Sequence, residues 1–119
     1  KKIKMLTSGM EKREFLYADD CSEGLFEMMQ KFNFFAKKGV ELHLTTAKKT
    51  RIIDIAKIIK NILKNKKMSV NILPSRKKDN LQKSVNNLSN NFFLKFWKPK
   101  HTVKSGIEKI IEYHLKKNN

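Results

Sequence analysis

The feature that most constrains the fold is a stripe of isoleucines between Arg51 and Asn65. Isoleucine recurs there at three- and four-residue spacing, and lysine, asparagine and aspartate fill most of the positions between. This period places the branched side chains on one face of a helix and the polar side chains on the other. The stripe comprises Ile52, Ile55, Ile59 and Ile62, widened by Ala56 and Leu63. An amphipathic helix is therefore predicted here, with Thr50 as its N-cap.

Three short segments have the pattern of strands. Phe15-Leu16-Tyr17 is an apolar run that stops at two aspartates, and Val70 to Leu73 is another, ended by a proline. Val40 to Thr45 alternates apolar and polar side chains, which is typical of a half-buried strand. We therefore predict short strands at all three places.

Further helices are predicted on either side of these strands. Asp20 is a good N-cap and Glu23 stands three residues later, which is the spacing of a capping box. A weaker helix is predicted from Leu88 to Phe96, and a last one after Thr102 with His114 on its inward face. The predicted fold class is α/β: a small mixed α/β domain in which short strands alternate with helices.

Composition limits what a single domain of residues 1–119 can do. The net charge is +16, but 24 of the 27 basic residues are lysine and three are arginine. Sequence-specific recognition of bases relies on the bidentate guanidinium fork, which lysine lacks. The charge therefore predicts solubility and a general attraction to polyanions, and little more.

Several classes of protein are excluded by simple counts. With 39% hydrophobic residues the chain is too apolar to be disordered. No apolar run approaches the ~18 residues that span a bilayer, and no secretory signal opens the chain. Cys21 is the sole cysteine, which fits a reducing compartment. We expect a cytoplasmic protein without a membrane partner.

No catalytic or metal site is predicted from spacing. The three histidines lie far apart on different elements, and the four glycines are isolated, so neither a zinc site nor a phosphate-binding glycine loop is indicated. Tyr113 and Lys117 have the Tyr-x-x-x-Lys spacing of a dehydrogenase acid/base pair. Because this pair ends a terminal helix and no cofactor loop accompanies it, we interpret both residues as surface positions.

Two arginines and one aspartate are the candidate binding residues. Arg13 opens the stretch Arg-Glu-Phe-Leu-Tyr-Ala-Asp-Asp, and Arg76 lies in a loop just beyond a predicted strand end. A guanidinium at such a point can bind a diphosphate bidentately, and a carboxylate three residues later, Asp79, can accept hydrogen bonds from sugar hydroxyls.

These motifs resemble a known family. "REFLYADD", "PSRKKD" and "FWKPK…GIEKIIEYHL" together are similar to the C-terminal, substrate-binding part of extended short-chain dehydrogenase/reductases, the NAD-dependent epimerase/dehydratase family. The similarity runs in order from Thr7 to Leu115, and it is nearest to the GDP-fucose synthase and UDP-glucose 4-epimerase branches. Three places depart from the family pattern. Phe96 and Lys78 stand where glycines are usual, and the Asn-x-Gly-x-Gly stretch before the long helix appears here as His43-Leu44-Thr45-Thr46-Ala47.

The resemblance implies roles and partners for this chain. Arg13 and Arg76 would contact the substrate diphosphate, Asp79 would contact the nucleotide ribose, and Trp97 would belong to a packing turn. The substrate would be a UDP-, GDP- or dTDP-sugar. NAD or NADP would be bound by an N-terminal nucleotide-binding domain that this sequence lacks, so we expect a fragment of a longer enzyme that transfers no hydride alone. A homodimer is left open.

Two other functions compete with this prediction. The segment from Lys48 to Lys83 has 12 basic and two acidic residues, which would suit a free-standing lysine-rich module that follows a nucleic-acid backbone. It contains no aromatic residue for base stacking, so we do not expect nucleic acid as the partner. The third possibility is a structural remnant of a degraded enzyme gene. The preferred function requires Arg13 and Arg76 to lie in one neighbourhood.

Overall fold

The computed structural model describes residues 1–77 and 90–117, and in these ranges the chain is a small mixed α/β structure. The predicted fold class is thereby confirmed. The elements are β1 (Lys2–Lys4), β2 (Lys12–Glu14), α1 (Ala18–Gln30), α2 (Phe32–Lys38), β3 (Lys49–Arg51), α3 (Ile52–Asn65), β4 (Asn71–Leu73), a 3₁₀ helix (Phe92–Lys95) and α4 (Val103–Lys117). None of the helices in these ranges is both long and apolar enough to cross a bilayer.

The described strands form two ladders of two strands each. β1 pairs with β4 in parallel, with Ile3 opposite Ile72, and β2 pairs with β3 antiparallel, with Arg13 opposite Thr50. α3 connects β3 directly to β4 and contacts α4. The strand predicted from Val70 to Leu73 is confirmed, since β4 covers most of it.

The isoleucine-rich helix is confirmed as α3, with Ala56 and Ile62 buried, but its predicted cap is wrong. Thr50 belongs to β3, and the N-cap is Arg51. The Arg51 side chain instead binds Asp54, with Nε 2.7 Å from Oδ2 and one Nη 3.0 Å from Oδ1. This hydrogen bond, more than any other contact, holds the pKa of Asp54 below its ordinary value. The carboxylate therefore remains charged in the first turn, where the helix dipole favours an anion.

Aromatic rings form the main buried cluster. Phe93 is 1% exposed, and it packs edge to face on Phe35 and stacks on Trp97, with ring centroids 5.5 and 5.9 Å apart. Partly buried apolar side chains surround the cluster: Leu16, Met28, Leu42, Leu44 and Phe92. Trp97 thus serves packing, although within the described ranges its buried indole N–H has no hydrogen-bond partner.

The strands predicted at residues 15–17 and 40–45 are wrong for the described structure. Neither segment is assigned to a strand, and one ladder instead pairs the polar segments β2 and β3 with each other. The apolar side chains Leu16, Leu42 and Leu44 pack against the aromatic cluster. The apolar pattern of these segments therefore arises because their side chains are buried against the aromatic cluster. In the described ranges, no neighbouring strand pairs with either segment.

The start of α1 differs from its prediction as well. The helix begins at Ala18 with Tyr17 as N-cap and no side-chain cap, so Asp20 is not the cap but a buried residue of the first turn. Gly39 ends α2 in the left-handed conformation with φ +60°. The Asp20 carboxylate binds His101, a residue distant in sequence, instead of capping the helix.

The last two helix predictions have different outcomes. Residues 92–95 form a 3₁₀ helix rather than an α-helix, and part of the predicted segment lies outside the described residues. The terminal helix is confirmed as α4, but His114 is exposed rather than inward. Gly106, and not His114, is the buried residue of this helix.

Candidate functional site

Arg13 lies on β2 beside a surface groove. The groove has a volume of about 440 Å³ and separates the end of β1 from the first half of α3. Its lining is mostly apolar, with the polar side chains Lys4, Thr7, Glu11 and Arg13 at its edge. Arg13 itself is an exposed residue. The structure thus places this guanidinium-bearing side chain at the rim of a cavity.

Arg76 follows β4 in a bend and is also exposed. The backbone on both sides of it is held by the segment after β1. The Ser75 N–H donates to the Thr7 carbonyl at 3.1 Å, and the Ser8 N–H donates to the Lys77 carbonyl at 2.8 Å. Arg76 is therefore fixed between two backbone hydrogen bonds to one loop.

Residues 7–11, which we call the site loop, connect the two arginine positions. The Gly9 and Glu11 carbonyls accept from the N–H groups of Ile53 and Ile52, at 2.9 and 3.1 Å, which ties the loop to the start of α3. The Thr7 hydroxyl donates to the Glu11 carboxylate and accepts from the Gly9 N–H at 3.2 Å. The loop is thus pinned internally and at both ends.

The site loop therefore anchors both predicted arginines to one framework. Arg76 is held against its first two residues, and Arg13 follows its last residue by two positions. Lys12 and Lys77 are exposed next to the arginines in sequence, so the neighbourhood is rich in cations. The third predicted binding residue, Asp79, lies outside the described residues. Chemically, such an arrangement suits the binding of an anion rather than proton transfer.

The pair formed by Asp20 and His101 was missed by sequence reasoning. Asp20 is 1% exposed, and its carboxylate accepts the His101 backbone N–H at 2.9 Å and contacts the His101 ring Nδ1 at 2.9 Å. Burial opposes ionisation, but the hydrogen bonds from His101 and from the Lys100 backbone outweigh it, so the pKa of Asp20 is lowered from 3.8. The Tyr17 ring packs on the imidazole at a centroid distance of 4.6 Å.

This pair joins the start of α1 to the segment that leads into α4. The two residues are 81 positions apart, so no local spacing could have revealed it. The side chain of His101 is only 18% exposed, and its Nδ1 is occupied by Asp20. We therefore interpret the pair as a structural link that positions the α4 end of the molecule.

The remaining chemical candidates are dispersed in the described ranges. Tyr113 is 63% exposed on α4, and Lys117 is exposed at the end of the same helix. Within residues 1–77 and 90–117, no three histidine, cysteine or acidic side chains approach each other as metal ligands would.

Comparison with solved structures shows the fold. No family model and no curated protein matches the chain. The GDP-mannoheptose C4 reductase MlghC from Campylobacter jejuni, solved with NADP bound, superimposes with a TM-score of 0.68 at 23% identity, over 97% of this chain and 35% of its own. A second structure, DdhaC, gives 0.62 at 26% identity, over 99% and 33%. The chain thus spans about a third of the length of these structures.

Proposed function

We propose that this chain is the nucleotide-sugar recognition part of an NAD(P)-dependent sugar epimerase, dehydratase or reductase. The observation that carries the proposal is the site loop, to which the segments bearing Arg13 and Arg76 are both attached. The fold supports it, because the chain matches about a third of a reductase that acts on a GDP-sugar. The motif resemblance points to the same class.

The chemistry proposed for this chain is binding and orientation of the substrate. Arg13 and Arg76 donate charged hydrogen bonds to the diphosphate of a UDP-, GDP- or dTDP-sugar, and Asp79 accepts from the ribose hydroxyls. Because the site loop is pinned to α3, the arginine-bearing backbone is ordered before the ligand arrives, which lowers the entropic cost of binding.

The coenzyme does not fit the described residues of this chain. Dinucleotide binding needs several glycines in one turn between a strand and a helix, whereas Gly9, Gly24, Gly39 and Gly106 lie in four separate places. We therefore assign the coenzyme to a separate nucleotide-binding domain. The hydride chemistry belongs to that domain.

Replacing the two arginines tests the recognition role. We expect Arg13→Gln and Arg76→Gln each to weaken binding of GDP or UDP by about 5–10-fold, because each removes a charged hydrogen bond of about 1–1.4 kcal/mol at an exposed position. Isothermal titration at constant ionic strength measures the loss. Lys60→Gln, on the exposed side of α3, is the matched control, since it removes one charge elsewhere. Equal weakening in all three variants would show general attraction and would refute the proposed site.

The partner domain has a candidate docking surface on α1 and α2. Large apolar side chains are exposed there, and we call them the apolar face: Leu25, Phe26, Met29, Phe32 and Phe34. Beside them lies an almost entirely apolar groove of about 510 Å³, lined in part by Val40 and Leu42. Exposed apolar side chains that adjoin each other in this way are typical of an interaction surface.

We assign the apolar face to the nucleotide-binding domain for two reasons. The matched structures are about three times as long as this chain, so two thirds of their length has no counterpart here. The strand-like residues 40–45, which adjoin the groove, also have no ladder within the described ranges. A domain that supplies apolar side chains and a strand edge would cover the apolar face and would also pair with residues 40–45.

Polar substitution of the apolar face tests whether it is a free docking surface. We expect Met29→Gln and Phe32→Gln to change the free energy of unfolding by less than about 0.5 kcal/mol, and to reduce binding of a hydrophobic dye. Phe35→Ala, at a buried ring nearby, should cost about 3 kcal/mol and serves as the control. Equilibrium sedimentation completes the test. If the native chain is a dimer and the polar variants are monomers, the apolar face binds a second copy of this chain, and the assignment to the nucleotide-binding domain is contradicted.

A further inference from the structure

A second cleft lies between the turn before β3 and the segment that leads into α4. Its volume is about 490 Å³, and neither Arg13 nor Arg76 lines it. Among the residues that the structure describes, four lysines and no aspartate or glutamate contribute to its walls: Lys48, Lys98, Lys100 and Lys104. Three threonines, Thr46, Thr50 and Thr102, add hydroxyl groups. We call this cavity the lysine cleft.

The positive charge of the lysine cleft is only partly neutralised. The Lys100 ammonium binds Glu23 at 2.8 Å, and Lys104 lies 3.9 Å from Glu108. For Lys48 and Lys98, no carboxylate of residues 1–77 or 90–117 lies within ion-pair distance. Both ammonium groups line the same cavity without such a partner in the described ranges, so an anion bound there would be attracted by both.

The walls that carry these lysines are held by specific contacts. On one side the Thr46 hydroxyl donates to the Lys48 carbonyl at 3.2 Å. On the other side, the His101 backbone is bound to the buried Asp20, and Thr102 and Ser105 hydrogen-bond each other. The backbone positions of the lysines are therefore ordered, while their side chains can adjust to a ligand.

We propose that the lysine cleft binds a small ligand with two or more linked phosphate groups, separately from the diphosphate site at Arg13 and Arg76. Lysine ammonium groups are compact point charges that suit phosphate oxygens without demanding a planar geometry. A nucleic acid is disfavoured, because the lining that the described residues form contains no phenylalanine, tyrosine or tryptophan on which a base could stack.

Titration with inorganic tripolyphosphate tests the lysine cleft. We expect the double variant Lys48→Gln and Lys98→Gln to bind it at least about 10-fold more weakly. The matched control, Lys60→Gln with Lys64→Gln, removes the same total charge from exposed positions of α3 and should change affinity less than about twofold. Amide shifts in a nuclear magnetic resonance titration should concentrate at residues 46–50 and 98–104.

Three outcomes would overturn the proposal. Equal weakening in the two double variants, or shifts spread over the whole surface, would show attraction to net charge alone. Tighter binding of a single-stranded oligonucleotide, lost in the same cleft variant, would assign the cleft to nucleic acid. Loss of tripolyphosphate binding in Arg13→Gln with Arg76→Gln, but not in the cleft variant, would move the ligand to the arginine site. That last result would contradict the lysine cleft but not the proposed role of Arg13 and Arg76. The experiment can therefore refute one proposal without refuting the other.

Discussion

Replacing Asp20 by alanine is expected to lower the free energy of unfolding by about 3 kcal/mol. The buried carboxylate accepts hydrogen bonds from the His101 backbone and from Lys100, and it contacts the His101 ring. Its removal leaves these groups without their partner in a site that water hardly reaches. Urea denaturation at pH 7 measures the loss. Asp19→Ala, at the exposed neighbouring position, is the control and should cost about 0.5 kcal/mol.

The same carboxylate predicts a pH dependence of stability. Because the folded pKa of Asp20 lies below 3.8, the folded state binds this proton less tightly than the unfolded state. Its stabilising contribution is complete above the unfolded pKa and is lost as the pH falls through the folded value. The difference in stability between the native protein and Asp20→Asn should therefore shrink below about pH 4. A difference that stays constant down to pH 2 would contradict the link.

Replacing Gly9 by alanine is expected to cost about 2–4 kcal/mol, from backbone strain and steric overlap together. Gly9 has φ +75°, where a side chain is strained, and an added Cβ would lie 2.9 Å from the Ile53 backbone nitrogen and 2.2 Å from the Met5 Cε. The methionine can move, but the backbone nitrogen starts α3 and cannot. Thermal and urea denaturation both report the loss.

Gly39→Ala is the matched control for this prediction. Gly39 also has positive φ, +60°, but an added Cβ meets nothing within 4 Å. It should therefore show the backbone strain alone, about 1–2 kcal/mol. Similar losses for the two alanine variants would mean that contact with α3 does not constrain the site loop. A larger loss at Gly9 would also be expected to weaken GDP binding, because the loop holds both arginine segments.

Gly9 and Asp20 stabilise the backbone on which the two proposed binding sites are built. Gly9 allows the site loop to pass close to the start of α3, which fixes the neighbourhood of Arg13 and Arg76. Asp20 holds His101, which lines the lysine cleft. Neither residue is proposed to touch a ligand. Their variants should therefore alter binding only through the backbone that they hold.

Local patterns predicted the helices well because a helix closes its hydrogen bonds within one segment. The isoleucine spacing placed α3, and Thr102 marked the start of α4 correctly. The strand predictions at residues 15–17 and 40–45 failed, since a strand exists only where a second strand supplies its partners. Alternating apolar residues indicate that one side of a segment is buried, but they do not indicate what buries it. Here the rings of the aromatic cluster cover these side chains, and no second strand in the described ranges does.

The candidate binding residues could be selected from the sequence, but not their arrangement. Arg13 and Arg76 were identified by residue chemistry and by motif resemblance, while the site loop that anchors both depends on backbone bonds across more than 60 residues. The lysine cleft was missed because Lys48 and Lys98 are 50 positions apart. Within the segment from Lys48 to Lys83, the sequence showed only an excess of charge.

By itself the sequence determined the helical segments, the mixed α/β class and the identity of the cationic groups, since these depend on spacing and side-chain chemistry along the chain. Only the tertiary structure decided that Asp20 pairs with His101 rather than capping a helix, which strands pair, and which cations share a cavity. These features depend on contacts between residues distant in sequence. Such contacts form only when the whole chain has packed, so no local pattern records them.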